Sequence, residues 1–485
     1  MPYVRLMLVN AWTATIPMER VRLGLAAVRF ENDIRAGFPA DVVAEARRAV
    51  AGYVPPGLDL TDFEFVTLDP AGSTDLDQAF HIEAMGDGAG FRVRYAIADV
   101  PAFVNLGGRL DAETRQRGET IYCPDLKVPL HPPVLSDDAA SLLPGVVRGA
   151  YVWQFDVADD GVAAFVSLQR ASVRSRAQLA YDVEQGRLEG GAPHPQIGLL
   201  REVGIRRQAQ EVARGAINLP SPAQEVRADD RGGIALVYRT SVPVEEWNAQ
   251  LSLMTGMAAA RIMLDGRVGI LRTMPPPSDQ DLARVRASAR GLGIAWPEGR
   301  GYAHLIRSLD PGDPQHAAFL DNVTTLMRGA GYTAFDGAAP TLSEHSAIAG
   351  PYAHVTAPLR RLVDRFGLAA CLALVQGRDV PDELRAVLPD LPALMSTSGK
   401  RARVVDRASM DYLEAELLAG REGVALRGVV IEQRKNGGIV QLAEPAITAR
   451  CRGNHLPLGE WVDAWLVEAD PKSRSVVFDV SQRRP

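Results

Sequence analysis

The chain has 485 residues and a mass of 52.3 kDa, and at roughly 100–200 residues per domain it suits two to four domains. Apolar residues at 47% and charged residues at 23% exclude a disordered or fibrous protein. A net charge of −6 excludes a chain that coats nucleic acid by bulk basicity, but leaves room for a basic groove inside an acidic shell. The three cysteines, Cys123, Cys371 and Cys451, lie too far apart for a local zinc knuckle or a disulfide framework. A reducing cytoplasm fits them. No uninterrupted apolar run approaches the ~18 residues of a membrane span, and no signal-peptide pattern is read at the start. The expectation is a cytoplasmic monomer without membrane contact. Of the 53 cationic residues only Lys127, Lys400, Lys435 and Lys472 are lysines. Genomic base composition explains that bias most simply, yet each arginine is a planar fork suited to phosphate.

Residues 1–60 are mixed in character. Val42, Val43, Ala46, Ala49 and Val50 share one face behind Pro39, which predicts a helix over 40–52. Pro55, Pro56 and Gly57 break the chain. A strand over 63–68 then runs into the loop Asp69-Pro70-Ala71-Gly72-Ser73-Thr74-Asp75-Leu76-Asp77-Gln78. Strands are expected over 79–83 and 91–100. Asp159-Asp160-Gly161, between alternating segments at 152–157 and 163–170, marks a hairpin. Helical periodicity follows over 197–217, 245–264, 279–291, 316–328, 359–376 and 399–418. Pro358 opens the fifth of these, with Arg360, Arg361, Asp364 and Arg365 near its start. After Gly423 the pattern changes to short alternating strands over 424–433, 438–442, 447–452, 461–468 and 475–480. Such a series suggests a small barrel of the oligonucleotide-binding type.

The loop with Asp69, Asp75 and Asp77 is the most informative local feature. Asp75 and Asp77 are two apart, so in extended backbone both carboxylates project to one side. Three converging acids repel one another, and a divalent cation would remove that cost. Oxygen ligands select Mg²⁺ or Mn²⁺ over zinc. The loop also reads as a solvated turn, since Asp is a common turn residue. An EF-hand is excluded, because no Glu stands twelve residues after the first ligand.

The run Phe65-Val66-Thr67-Leu68-Asp69-Pro70 through Asp75-Leu76-Asp77 resembles the signature of the ribonuclease II family. So do Tyr95-Ala96-Ile97-Ala98-Asp99-Val100, Leu110-Asp111, Arg117-Gly118, Tyr122-Cys123-Pro124-Asp125, Leu135-Ser136 and Ser141-Leu142-Leu143-Pro144-Gly145. Tyr352-Ala353-His354-Val355-Thr356-Ala357-Pro358-Leu359-Arg360-Arg361 is similar to a further family motif, and the segment after Gly423 to its S1 domain. The resemblance is ordered and covers about residues 60–480. It implies an α+β multidomain protein. A mixed α/β RNB catalytic domain over 61–420 precedes a five-stranded S1 (OB-fold) barrel over 423–482. Residues 1–60 form a short N-terminal module, helical or winged-helix and too short for a pair of cold-shock barrels. The implied activity is processive 3′→5′ hydrolysis of single-stranded RNA to nucleoside 5′-monophosphates. By the same resemblance Asp69, Asp75 and Asp77 match family aspartates around Mg²⁺, Tyr122 a tyrosine that stacks near the 3′ end, and Arg360 an arginine that holds the phosphate. Asp406 stands where the family has a glutamate contacting the last nucleotide. Bland readings stand beside these: Tyr122 as a turn aromatic, Asp406 in helix-surface pairs, His354 as structural and Trp247 as core.

The chain also departs from the family pattern. Gln78 replaces the fourth aspartate; its carbonyl can still ligate Mg²⁺, but it brings no charge. Gln250 stands near where paired glutamates are expected at the RNA. The segment 220–227 lacks the second aromatic of the base clamp. These changes keep two alternatives in play: a decayed RNB/S1 protein that binds RNA without cleaving it, and a hydrolase of some other phosphate ester.

Overall fold

A computed structural model describes residues 18–219, 223–228, 234–297, 299, 301–442 and 444–480. Two helices, α1 (Met18–Glu31) and α2 (Ala40–Ala51), form the described part of the N-terminal module, and no strand occurs among its described residues. Residues 1–17 of that module lie outside the described residues. On α1, Val21, Leu25 and Val28 make a stripe at helical spacing. The stripe packs on the long helix Leu391–Leu418 and on a short hairpin, Ile121–Tyr122 paired with Lys127–Val128. Arg29 at the end of α1 donates from Nη2 to Asp125 Oδ2 at 2.9 Å, and both side chains are nearly buried. Arg474 of the C-terminal barrel reaches Glu31.

The centre of the molecule is a closed five-stranded barrel. Its strands run in the order β1 (Phe65–Asp69), β2 (Gln78–Ala84), β3 (Phe91–Ala98), Val147–Val157 and Ala163–Ala180. Parallel pairing of β1 with the last strand closes it, setting Asp69 opposite Ala180. Successive side chains alternate between two faces. On β3, Tyr95 and Ile97 join the large residues that pack with the helices Pro195–Arg214, Pro243–Asp265 and Leu362–Val375. Ala96 and Ala98 face the other way, toward α2 and the short helix α3 (Arg109–Arg117).

The C-terminal barrel follows the sequence expectation closely. Its strands are Ala425–Arg434, Gly437–Leu442, Thr448–Arg452, Trp461–Asp470 and Ser475–Asp479, and they close on themselves. Two helices start elsewhere than the sequence suggests. The one expected over 359–376 begins at Leu362, because Arg361 is held extended in an antiparallel bridge to Glu119, with Thr120 N–H on the Arg360 carbonyl and Leu362 N–H on the Gly118 carbonyl. Arg360 therefore stands in a turn before the helix. The long helix begins at Leu391, ahead of the expected 399, with a proline in its first turn where proline is tolerated. Among the described residues no helix is long and apolar enough to cross a membrane, and the three cysteines are free.

The Arg29–Asp125 pair ties the N-terminal module to the hairpin that carries Tyr122. Removing one partner of a nearly buried pair strands the other charge, at about 3–5 kcal/mol. Asp125→Ala should lower urea-unfolding stability by that order, and Arg29→Met with Asp125→Leu should recover most of it.

Candidate active site

Asp69 ends β1 and Gln78 begins β2, so the loop 70–77 lies at one mouth of the barrel. Gly72, at φ +83°, lets it turn where other residues would be strained. The Ser141 hydroxyl donates to the Thr74 carbonyl at 2.7 Å and accepts from the Leu76 N–H at 2.9 Å, which fixes the far half of the loop.

The segment 356–361 is brought against that mouth from far along the chain. Gly256 permits the approach: a Cβ there would lie 2.2 Å from the Tyr352 ring and 2.6 Å from the Ala353 carbonyl. The segment is then clamped along its length. The Gln78 amide donates to the Thr356 carbonyl, and the Ala357 N–H donates to Asp364 at 2.7 Å. The Leu359 N–H donates to Asp77 Oδ1 at 2.7 Å, while the Leu359 carbonyl bonds His131 Nδ1 at 3.0 Å. The Thr120 N–H donates to the Arg360 carbonyl at 2.9 Å, and Arg361 forks onto Asp364.

Asp77 is 3% exposed, and its burial holds the carboxyl well above the usual carboxylate range against the pull of Arg360 and the Leu359 N–H. Arg360 Nε lies 3.5 Å from Asp77 Oδ2, with about half of its side chain (50%) in solvent. The guanidinium can thus meet an anion from outside while resting on Asp77. Asp69 is pushed up to about 6, first by burial, with Asp75 adding and Arg360 opposing. Its Oδ2 is buried and has no hydrogen-bond partner. Asp75 is occupied: Lys127 Nζ donates to Oδ1 at 2.9 Å and the Tyr122 hydroxyl to Oδ2 at 3.1 Å. Tyr122, 52% exposed, otherwise offers its ring to solvent, and burial of its hydroxyl end with the adjoining Asp75 raises its phenol.

Among the described residues no three Asp, Glu, His or Cys side chains converge tightly enough to hold a metal unaided. Magnesium rarely needs such a cage; it takes one or two carboxylates and completes its shell with waters and substrate phosphates. The desolvated, unpartnered oxygen of Asp69 suits that mode, and Asp77 and Gln78, at the other end of the same loop, are the further oxygen groups that could join it, although Asp77 already faces Leu359 N–H and Arg360.

Two sequence expectations fare differently. Asp406 is exposed on the long helix near Cys123, whose thiol is raised first by burial, with the charges of Asp125 and Asp406 adding to it. It stands beside the Tyr122 hairpin, and no ion pair engages it among the described residues. Gln250 does not line the site. It is 4% exposed, and its amide donates to Glu211 at 2.6 Å. The residue of that helix that does reach the site is Asn248, which donates to the Tyr181 hydroxyl at 3.0 Å, next to Asp69. His354 bonds the Tyr332 hydroxyl at 2.7 Å, and Trp247 is core, both as read from sequence. Lys127, Asp137, His131, Tyr181 and Asn248 were not singled out for the site by sequence. For Lys127 a signal existed: Pro124-Asp125 turns the chain so that residues 122 and 127 face each other.

The RNB domain profile matches residues 58–367, and the ribonuclease II-type C-terminal S1 domain matches residues 425–481. This chain belongs to the RNB exoribonuclease family. It is 27% identical over 420 residues to Exoribonuclease 2 of Cronobacter sakazakii, covering 81% of this chain and 62% of that one. Across the curated RNB relatives that it matches first, it spans between 41% and 63% of their length. Its fold is that of the apo form of Mycoplasma genitalium RNase R, with a TM-score of 0.85 at 20% identity, covering 95% of this chain and 78% of that one. Yeast Ssd1, a pseudonuclease, shares the RNB fold at a TM-score of 0.71 and 15% identity, covering 93% of this chain and 57% of that one.

The raised Asp69 carboxyl has a measurable sign. Its folded pKa lies above the unfolded value, so ionisation costs stability above about pH 6, and the cost fades as pH falls through 6. In EDTA, Asp69→Asn should be more stable than the parent at pH 7.5, by roughly 2–3 kcal/mol. Thermal melts between pH 4.5 and 8 should show that gap close toward the acid end; a gap that ignores pH would contradict this account of Asp69.

Proposed function

We propose that this chain is a processive 3′→5′ exoribonuclease that hydrolyses single-stranded RNA to nucleoside 5′-monophosphates, acting as a cytoplasmic monomer with Mg²⁺, for which Mn²⁺ substitutes. The observation that carries the reading is the hydrogen bond from Leu359 N–H to Asp77. Across 282 residues of sequence it joins the carboxylate loop to the turn that presents Arg360. Acidic and basic groups thereby face one small volume at the barrel mouth.

A magnesium ion held by Asp69, with Asp77 and Gln78 close by, would supply a water of lowered pKa and neutralise charge at the phosphorus. The protein's own groups do the rest. Arg360 offers a permanent positive charge to the non-bridging oxygens, a preorganised contact typically worth about 3–4 kcal/mol. Asp77 orients that guanidinium. Tyr122 offers a ring face to a base, about 1–3 kcal/mol without reading sequence. Asp406, beside the same hairpin, would contact the last nucleotide. The C-terminal barrel collects the strand, and the arginine-rich surface makes binding weaken with salt.

A second reading has specific support. Gln78 spends its amide on a backbone carbonyl, and both oxygens of Asp75 are taken by protein donors. Both features fit a chain that binds RNA without cleaving it. Incubation of 5′-labelled poly(A) with Mg²⁺ and then with EDTA separates the two. Metal-dependent shortening to small 5′ fragments supports the nuclease, whereas retarded but intact RNA supports the binder.

Asp77→Asn should lower cleavage by about 10²-fold or more, in line with the loss of one preorganised group, with RNA binding kept within a few-fold in a gel-shift titration. Unchanged turnover would remove Asp77 from the chemistry. Tyr122→Ala should change the length of the final fragment more than the initial rate, and an end-product ladder identical to the parent's would argue against stacking.

A further inference from the structure

We propose that Lys127 is a resident cation of the carboxylate site, holding Asp75 where a second divalent ion would otherwise sit, so that the site binds a single divalent ion. The proposal rests on the metal-dependent reading above. An ammonium has three donors, and each one here has its own acceptor: Asp75 Oδ1 at 2.9 Å, Asp137 Oδ1 at 2.9 Å and Thr74 Oγ1 at 3.0 Å. The other oxygen of Asp75 accepts from Tyr122, the cross-strand neighbour of Lys127. One two-stranded hairpin therefore covers both oxygens of Asp75.

That hairpin is not free to swing away. Ile121 and Val128 are buried against α1 and the long helix, and Arg29 holds Asp125 in its turn. Lys127 itself is 21% exposed, so its attraction to two carboxylates is screened less than at an open surface. The residue type also matters. This chain uses arginine for nearly every cation, yet carries a lysine here. A guanidinium is a planar fork matched to one carboxylate, whereas three separate acceptors around a point suit a compact ammonium.

Hydrolytic sites with two metals place one cation on each side of the reacting phosphate. Here the Asp75 side is already filled by the chain. The oxygen left for a divalent ion is the buried, unpartnered Oδ2 of Asp69, close enough to Asp75 and Arg360 for both charges to act on it.

The test counts Mn²⁺ bound to the full chain by electron paramagnetic resonance, with a short ribose-methylated oligoadenylate present. The expected count is one ion in the parent, none in Asp69→Asn, one in Asp75→Asn and one in Lys127→Arg. Lys127→Met, which leaves Asp75 and Asp137 uncompensated, should take up two. Two ions in the parent, or one in a folded Lys127→Met protein, overturn the proposal and leave the metal reading standing. No Asp69-dependent ion in the parent overturns the metal reading itself. If Lys127→Met does not fold, Asp75→Asn decides: loss of the ion there makes Asp75 a metal ligand and refutes the hold of Lys127 on it, and retention upholds it.

Discussion

Burial of the Asp77 carboxylate is the constraint on which the site depends. A carboxylate at 3% exposure is stable only where donors replace water. The two nearest are the Leu359 N–H and the Arg360 guanidinium, and both belong to the segment 356–361. The protein therefore holds that segment rigidly. His131, whose imidazole burial keeps neutral, grips the Leu359 carbonyl, and Gln78 grips Thr356. An aspartate could not donate as Gln78 does, so the amide at this position has a structural use whatever it does for a metal. The carboxylate loop and the arginine turn are in effect one unit, although the sequence places them at opposite ends of the domain.

Local patterning carried the parts of the fold that sequence makes legible. The C-terminal barrel was readable because its strands alternate and are punctuated by turns, and the loop at 69–78 because its acids are adjacent in sequence. The helix start at Leu362 was not readable, since the partners that hold Arg360 and Arg361 out of the helix are backbone groups of 119–120, far earlier in the chain. Gln250 failed for a geometric reason. Residues two apart on a helix point roughly 200° apart, so when Asn248 faces β1, Gln250 faces the helix Pro195–Arg214 and finds Glu211 there. Only the pairing of that helix with β1 chooses between the two faces. Lys127 lay within reach of sequence reasoning through its hairpin, but what makes it matter, the bonds to Asp75 and Asp137, is long-range.

The charge balance of the site follows from the same packing. Asp69, Asp75, Asp77 and Asp137 bring four carboxylates together, against Lys127 and Arg360 as the cations that touch them. Burial is what chiefly raises Asp69 and Asp77, with Arg360 opposing and Asp75 adding, so added positive charge would relieve the cost of ionising them. Under the proposed function, an RNA phosphate, itself negative, would need both Arg360 and an added cation beside it there. Tyr122 sits on the boundary, with its hydroxyl on the acids and its ring in solvent.

A second buried carboxylate joins the C-terminal barrel to the long helix, alongside the apolar contacts between them. Glu414 lies on the long helix, and burial pushes it up to about 7 although two donors oppose that rise. One donor is the Gln224 amide, at 2.7 Å, from the hairpin Ala223–Ala228 with Ile234–Arg239; the other is the Thr448 N–H, at 3.3 Å, from the barrel. Gln224 also donates to the Ala446 carbonyl, so one amide joins helix, hairpin and barrel. The same long helix carries Asp406 and packs against α1, which in turn holds the Tyr122 hairpin through Arg29 and the barrel through Glu31. A strand gathered on the barrel would thus meet Tyr122 and Asp406 on elements already braced against it. Helix α1 packs across that junction, with Val21, Leu25 and Val28 in one apolar cluster with the long helix, the hairpin and the barrel.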